Sequence, residues 1–380
     1  MEKQQNYSEI TPIDLANPFR NPTEEPDYTP DYRDILPNAE LPETRLLLLP
    51  PPDEKRAIRR YYSLVFFTLL FAFFASSAAY AALSMIIGAA LRFFDAQKTD
   101  VLPENYMYIV QQYMDDSSIR IAVNLIAFLC CNLISLWVGC KITGITLRDC
   151  IGKKETVRKC SIGRVIFYAL IGLWIQMLAG YAGDAIITLC SKTGIPLYLP
   201  ELSGGTDPLK IACLAIYGCI VAPITEELLL RGFALKNLSR VSQRFGIICS
   251  ALLFGIMHEN LPQFLFTFPL GILLAYITIR HNSLLPAVLV HMTVNTAGVL
   301  LDLLHSFLPM QERMVTMIYS LAILALGSIC FLYFAGTERL PDNTPHQSTR
   351  TARIAVTSPL LWLLIGVHIA ASFMANYLDI

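Results

Sequence analysis

From Tyr61 onward the chain alternates long apolar stretches with short polar connections. The apolar stretches fall near 61–91, 119–140, 162–190, 211–235, 243–260, 263–279, 284–304, 314–335 and 355–376. A helix of about 20 residues rises about 30 Å, the thickness of a bilayer's hydrocarbon core. The pattern therefore predicts an all-α, polytopic membrane protein of eight or nine transmembrane helices. The first segment, with no apolar h-region before it, is expected to stay as an anchor rather than to be cleaved as a signal peptide.

The connections carry the orientation. Lys55, Arg56, Arg59 and Arg60 precede the first span. The next loop holds Asp95, Asp100, Glu104, Asp115 and Asp116 against Lys98, and the one after holds Lys141, Arg148, Lys153, Lys154, Arg158, Lys159 and Arg164. Short cytoplasmic loops concentrate Lys and Arg, so the amino terminus is expected in the cytoplasm, with the plasma membrane as the expected location. Residues 1–53 differ from the rest: they hold ten of the 22 prolines and an excess of Asp and Glu. Such a stretch buries too little apolar surface to offset its ordering entropy, and it reads as a disordered acidic tail ahead of a transmembrane domain over 54–380.

Composition agrees with this reading. Hydrophobic residues make up 54% of the 380, charged residues 16%, and the mean hydropathy is +0.49. The basic residues sit at span edges rather than in one stripe, which sets a nucleic-acid role aside. No Gly-rich phosphate loop supports a nucleotide-driven pump. The ten cysteines lie largely inside apolar runs without a C-x-x-C pair and read as small buried hydrophobes. No Gly-x-x-x-Gly seam suggests a dimer, so a monomer is expected.

Against this apolar background three motifs stand out: Glu226-Glu227-Leu-Leu-Leu-Arg231, Phe254-Gly-Ile-Met-His258 and His291-Met-Thr-Val-Asn295. An ionisable side chain at bilayer depth costs roughly 2.5 to 3.5 kcal/mol on insertion scales, so such groups usually face a cavity. Spacing of i,i+4 stacks Glu227 and Arg231 on one helix face as a charge pair, leaving Glu226 for chemistry. Lys236, ten residues on, is expected to reach the interface with its amine.

Hydrolysis needs a base, a group that holds water and donors for the oxyanion. Glu226 can be the base, His258 can hold the water, and His291 with Asn295 can present N–H groups to the substrate carbonyl. His258 falls near the outer end of its span, which requires a steep tilt or a deep polar cavity. Alternatively, Glu226, His258 and His291 match the His/His/carboxylate ligand set of a zinc site. The soluble H-E-x-x-H signature is absent, because Pro262 occupies the place of the second His. A divalent metal such as zinc and a metal-free glutamate mechanism both stay open. His368 reads as a helix–helix hydrogen-bonding group with no assigned role.

The three motifs in this order resemble the CAAX protease and bacteriocin-processing family, also called Abi or CPBP, whose pattern is E-E-x-x-x-R, F-x-x-x-H and H-x-x-x-N. The resemblance covers about residues 210–300. It implies an intramembrane endopeptidase, a hydrolase with a catalytic cavity open to the cytoplasm and to lipid. Glu226 would activate water with His258, and His291 and Asn295 would stabilise the oxyanion. Glu227 and Arg231 would shape the site, and Phe254 would pack beside His258. The family is described both as metalloproteases and as metal-free glutamate enzymes. Its substrates are membrane-associated proteins or peptides, prenylated ones among them.

Two other classes compete. A non-catalytic immunity or peptide-binding membrane protein could use the same polar pocket, and a proton-coupled transporter could use the same carboxylates and histidines as a relay. Transporters interrupt helices in both halves of a repeat; here only Pro269 and Gly271 are expected to break a span, the sixth.

Overall fold

The computed structural model describes residues 52–96, 117–152, 157–193, 207–239, 243–338 and 353–377. The proposed tail, apart from its last two residues, lies outside the described residues. The regular elements are all helical: α1 (Pro52–Ala96), α2 (Ser117–Thr143), α3 (Leu147–Ile151), α4 (Ile162–Lys192), α5 (Pro208–Leu238), α6 (Gln243–Ile256), α7 (Leu261–His281), α8 (Leu285–Phe307), α9 (Glu312–Thr337) and α10 (Pro359–Tyr377). Each predicted stretch is a helix, and α1, α2, α4, α5, α7, α8 and α9 are long and apolar enough to cross a membrane. The chain is an integral, polytopic all-α membrane protein.

The expected count of crossings is corrected by α6 and α10, which are shorter apolar helices. The 14 residues of α6 rise about 21 Å, against about 30 Å of hydrocarbon. Local backbone chemistry ends it. Glu259 takes a left-handed φ of 58°, and Asn260 caps α7 by accepting from the Gln263 N–H at 2.8 Å, with Pro262 in the first turn. His258 therefore stands at the tip of a hairpin between α6 and the longer α7, which pack side by side.

Three further expectations change. Pro269 does not break the sixth span, because α7 runs through it unbroken. Gly271 serves close packing instead: a Cβ there would lie 3.0 Å from the Ala251 Cα of α6. Lys236, expected to extend its amine to the interface, is turned onto a neighbouring helix instead. It is buried, and its amine donates to the Asp149 carbonyl of α3, a helix made by the Thr146/Asp149 capping box.

The helices pack as two groups. Tyr62, Phe66 and Leu69 of α1 join Leu229, Leu230 and Phe233 of α5, Leu253 and Phe254 of α6, and Leu361 and Leu364 of α10. Val165 and Ile171 of α4 join Leu270 and Leu274 of α7 and Val290 and Val294 of α8. The motif glutamates belong to a helix of the first group, whereas His291 and Asn295 belong to a helix of the second. The seam between the groups thus brings the motifs together.

Within the first group, Gly139 of α2 lets three helices meet. An added methyl would sit 2.6 Å from Thr68 Cγ2 of α1 and 2.8 Å from Phe233 Cζ of α5. Gly139→Ala should cost about 1–3 kcal/mol through overpacking and lower the melting temperature of the detergent-solubilised protein. Gly180→Ala, where a methyl meets open space, should leave that temperature unchanged or raise it.

Candidate active site

The site is built on a helix that departs from α geometry. Within α5, Ala215–Val221 and Glu227–Leu235 are π-helical, flanking a short α segment, Ala222–Glu226. A π turn is uncommon and often marks a functional site.

The first π segment has an identifiable consequence at Pro223. The Ala222 N–H donates to the Tyr217 carbonyl, five residues back. The next donor in that register would serve the Gly218 carbonyl, but it belongs to Pro223, which has no N–H. Asn295 of α8 supplies the missing donor, its Nδ2 lying 2.8 Å from the Gly218 oxygen. Asn295 thus satisfies a backbone group of α5 and locks the two halves of the seam. It does not line the cavity described below, contrary to the expectation that it faces a substrate oxyanion.

Glu227 and Arg231 pair as expected. Arg231 Nη1 donates to Glu227 Oε1 at 2.8 Å, and both side chains have 0% exposure. The same oxygen accepts from His291 Nδ1 at 3.0 Å, which leaves Nε2 of that ring 3.8 Å from Glu226 Oε2. The guanidinium lies 4.1 Å from the centroid of the Phe254 ring, a cation–π contact. Phe254 also meets the His258 and His291 rings edge-on at 4.9 and 5.6 Å. His291 is therefore held between the two glutamates, next to Glu226 and Phe254 of the cavity wall, whereas the sequence places it beside the substrate carbonyl.

Glu226 and His258 do share a cavity, of about 230 Å³. The Glu226 side chain is 17% exposed. His258 accepts or donates through Nδ1 at 2.7 Å to the Phe254 carbonyl; a carbonyl only accepts, so Nδ1 carries the proton and Nε2 is left as the ring's acceptor. Asn132, Tyr217 and Gln263 also line this cavity, and sequence reasoning gave them no role. Asn260 engages the Gln263 Oε1 at 2.8 Å, so the Gln263 NH₂ is the end left to donate. Phe128, Leu229, Leu230 and Met257 complete an apolar wall.

The proposed ligand trio does not fit a metal. Among the described residues no group of three His, Cys, Asp or Glu side chains converges as a metal site requires. Both rings keep Nε2 for another partner, since His291 Nδ1 bonds Glu227 and His258 Nδ1 bonds a backbone carbonyl. The ten cysteines are free thiols.

Residues 208–297 match the family model described as Rce1-like, type II CAAX prenyl endopeptidase. A relative from Bacillus subtilis (strain 168), named "Putative membrane peptidase YdiL", is 25% identical over 200 residues, which cover 51% of this chain and 78% of the relative. No solved structure matches the chain. The matched segment contains all three motifs, from α5 to α8.

Two stability experiments follow from the geometry. Arg231→Met should destabilise the fold by about 3–5 kcal/mol, because it strands a buried carboxylate, and adding Glu227→Gln should recover much of that loss in thermal unfolding. Asn295→Ala should cost about 1–3 kcal/mol by orphaning the Gly218 carbonyl. In a Pro223→Ala background, which restores a backbone N–H, the same change should cost measurably less, read as the coupling energy of a double-mutant cycle.

Proposed function

We propose that this chain, whose residues 208–297 carry the three motifs and match the Rce1-like CAAX prenyl endopeptidase model, is an intramembrane endopeptidase whose water is activated by Glu226. The observation that carries the reading is the convergence of Glu226 of α5 and His258 of the α6–α7 turn on one cavity while Glu227 is tied up by Arg231. A cavity with one carboxylate and one imidazole acceptor has the parts needed to hold and deprotonate a water.

In this reading Glu226 takes a proton from the water as its oxygen attacks the scissile carbonyl carbon, and His258 Nε2 accepts the water's other hydrogen bond. The negative charge that forms on the carbonyl oxygen is met by the Tyr217 hydroxyl and the Gln263 NH₂, the donors this cavity presents. Collapse of the tetrahedral adduct breaks the C–N bond, and Glu226 returns its proton to the leaving amine. His291 and Asn295 act through the protein: His291 fixes the Glu226/Glu227 pair, and Asn295 fixes α5. No step in this reading is routed through a metal.

The substrate in this proposal is a membrane-associated protein or peptide, because the site is reached within a bundle of apolar helices. The basic residues of α1 at Lys55, Arg56, Arg59 and Arg60 support a cytoplasmic amino terminus.

Purified wild-type protein in detergent should cleave members of a quenched peptide library, lipidated peptides included, and should keep doing so in excess chelator. Glu226→Gln should lower the rate by roughly 10²–10⁴-fold with little change in melting temperature. Loss of cleavage in chelator would overturn the metal-free mechanism, and absence of cleavage by the wild type would overturn the endopeptidase reading.

A further inference from the structure

The chamber that holds Glu226 and His258 adjoins a second one of about 360 Å³, since Phe128, Asn132, Tyr217 and Met257 line both. That volume lies within the usual range of ligand pockets. The second chamber is bounded by α1, α2, α5, α10 and the tip of the α6–α7 hairpin, and it is a more polar space than its surroundings require. It contains one carboxylate, that of Glu259, and one imidazole, that of His368. No Lys or Arg lines either chamber among the described residues.

Three observations set Glu259 apart from a solvated surface acid. Its backbone occupies the left-handed region at φ 58°, where a non-glycine residue is uncommon and disfavoured. That turn sends two consecutive side chains into different spaces: His258 into the first chamber and Glu259 into the second. One carboxylate oxygen, Oε1, then accepts from His368 Nδ1 at 2.9 Å. His368 is itself 2% exposed and clamped edge-on by Phe73 at 4.6 Å, while the Glu259 side chain keeps 31% exposure. The carboxylate is thus held from behind and open in front, with Ser76 and Asn124 as further polar groups on the same wall.

A fixed carboxylate in an apolar surround without a partner Lys or Arg is the complement of a cation. A peptide whose scissile carbonyl sits at Glu226 passes Tyr217 and Asn132 to enter the second chamber, and one extended residue advances about 3.3–3.6 Å. We propose that the second chamber is a specificity subsite that receives the Lys or Arg side chain of a substrate residue flanking the scissile bond, with Glu259 as its counter-charge and His368 as the positioning residue behind it. This inference rests on the endopeptidase reading above.

The test uses the full-length protein in detergent and matched quenched peptides that carry Lys, norleucine or Glu at each position around a cleaved bond. At one flanking position the wild type should prefer Lys over norleucine by about tenfold or more in kcat/KM, the worth of a hydrogen bond to a charged group, and should discriminate against Glu. Glu259→Gln keeps an oxygen for His368 and should lower that ratio to about one. Ser77→Asp, which adds a second carboxylate to the same wall, should raise it. Wild-type cleavage without a cationic preference at any position, or a ratio that survives Glu259→Gln, overturns the subsite while leaving the endopeptidase reading intact. Failure of the wild type to cleave any peptide overturns both.

Discussion

The Glu227–Arg231 ion pair has no contact with solvent, and the placement of the other motif residues follows from how its charges are met. Removing two charges from water costs several kcal/mol per ion, which their attraction offsets only when geometry and further contacts are favourable. Here the further contacts are His291 on the carboxylate and the Phe254 ring under the guanidinium. Phe254 in turn abuts both histidines. A glutamate, an arginine, an aromatic ring and two imidazoles thus form one connected body, and Glu226, adjacent in sequence to Glu227, is presented at its edge to the cavity.

That arrangement separates two jobs that the motif pattern runs together. The residues that face the cavity are few: Glu226 and His258, with Tyr217, Asn132 and Gln263 around them. The residues that support the cavity from behind are Glu227, Arg231 and His291, which are buried, and Asn295, which is partly buried. Behind the cavity Glu227 Oε1 meets Arg231 and His291, and Asn295 meets a backbone carbonyl that lacks a donor in its own helix, while Glu227 Oε2 and Arg231 Nε and Nη2 have no hydrogen-bond partner.

The positions of the helices could be read from the chain because lipid imposes length and apolarity together, and all nine predicted stretches are helical. The two short ones could not be measured that way. Apolar residues continue through Met257, and α6 is ended not by Gly or Pro but by the conformation of Glu259 and the capping of α7 by Asn260. The Asn260-x-Pro262 start signal was present in the sequence, and weighing it would have shortened the fifth span. The pairing of Glu227 with Arg231 followed from i,i+4 spacing alone. The task of Asn295 did not, since it depends on a carbonyl 77 residues away. Pro223 inside an apolar helix was nonetheless a visible sign that some carbonyl lacked its donor. Tyr217, Asn132 and Gln263 carried no motif, and only the fold brings them to the same wall.

The short reach of α6 also bears on how the protein enters its membrane. A segment of 14 residues rises too little to be held across the apolar layer by itself, so it depends on packing against its neighbours, α7 above all. The hairpin tip that carries His258 and Glu259 must therefore be laid down as part of a pair during biogenesis, after the emergence of α7 from the ribosome. The wall that His258 and Gln263 give to the Glu226 cavity is complete only when that later helix docks.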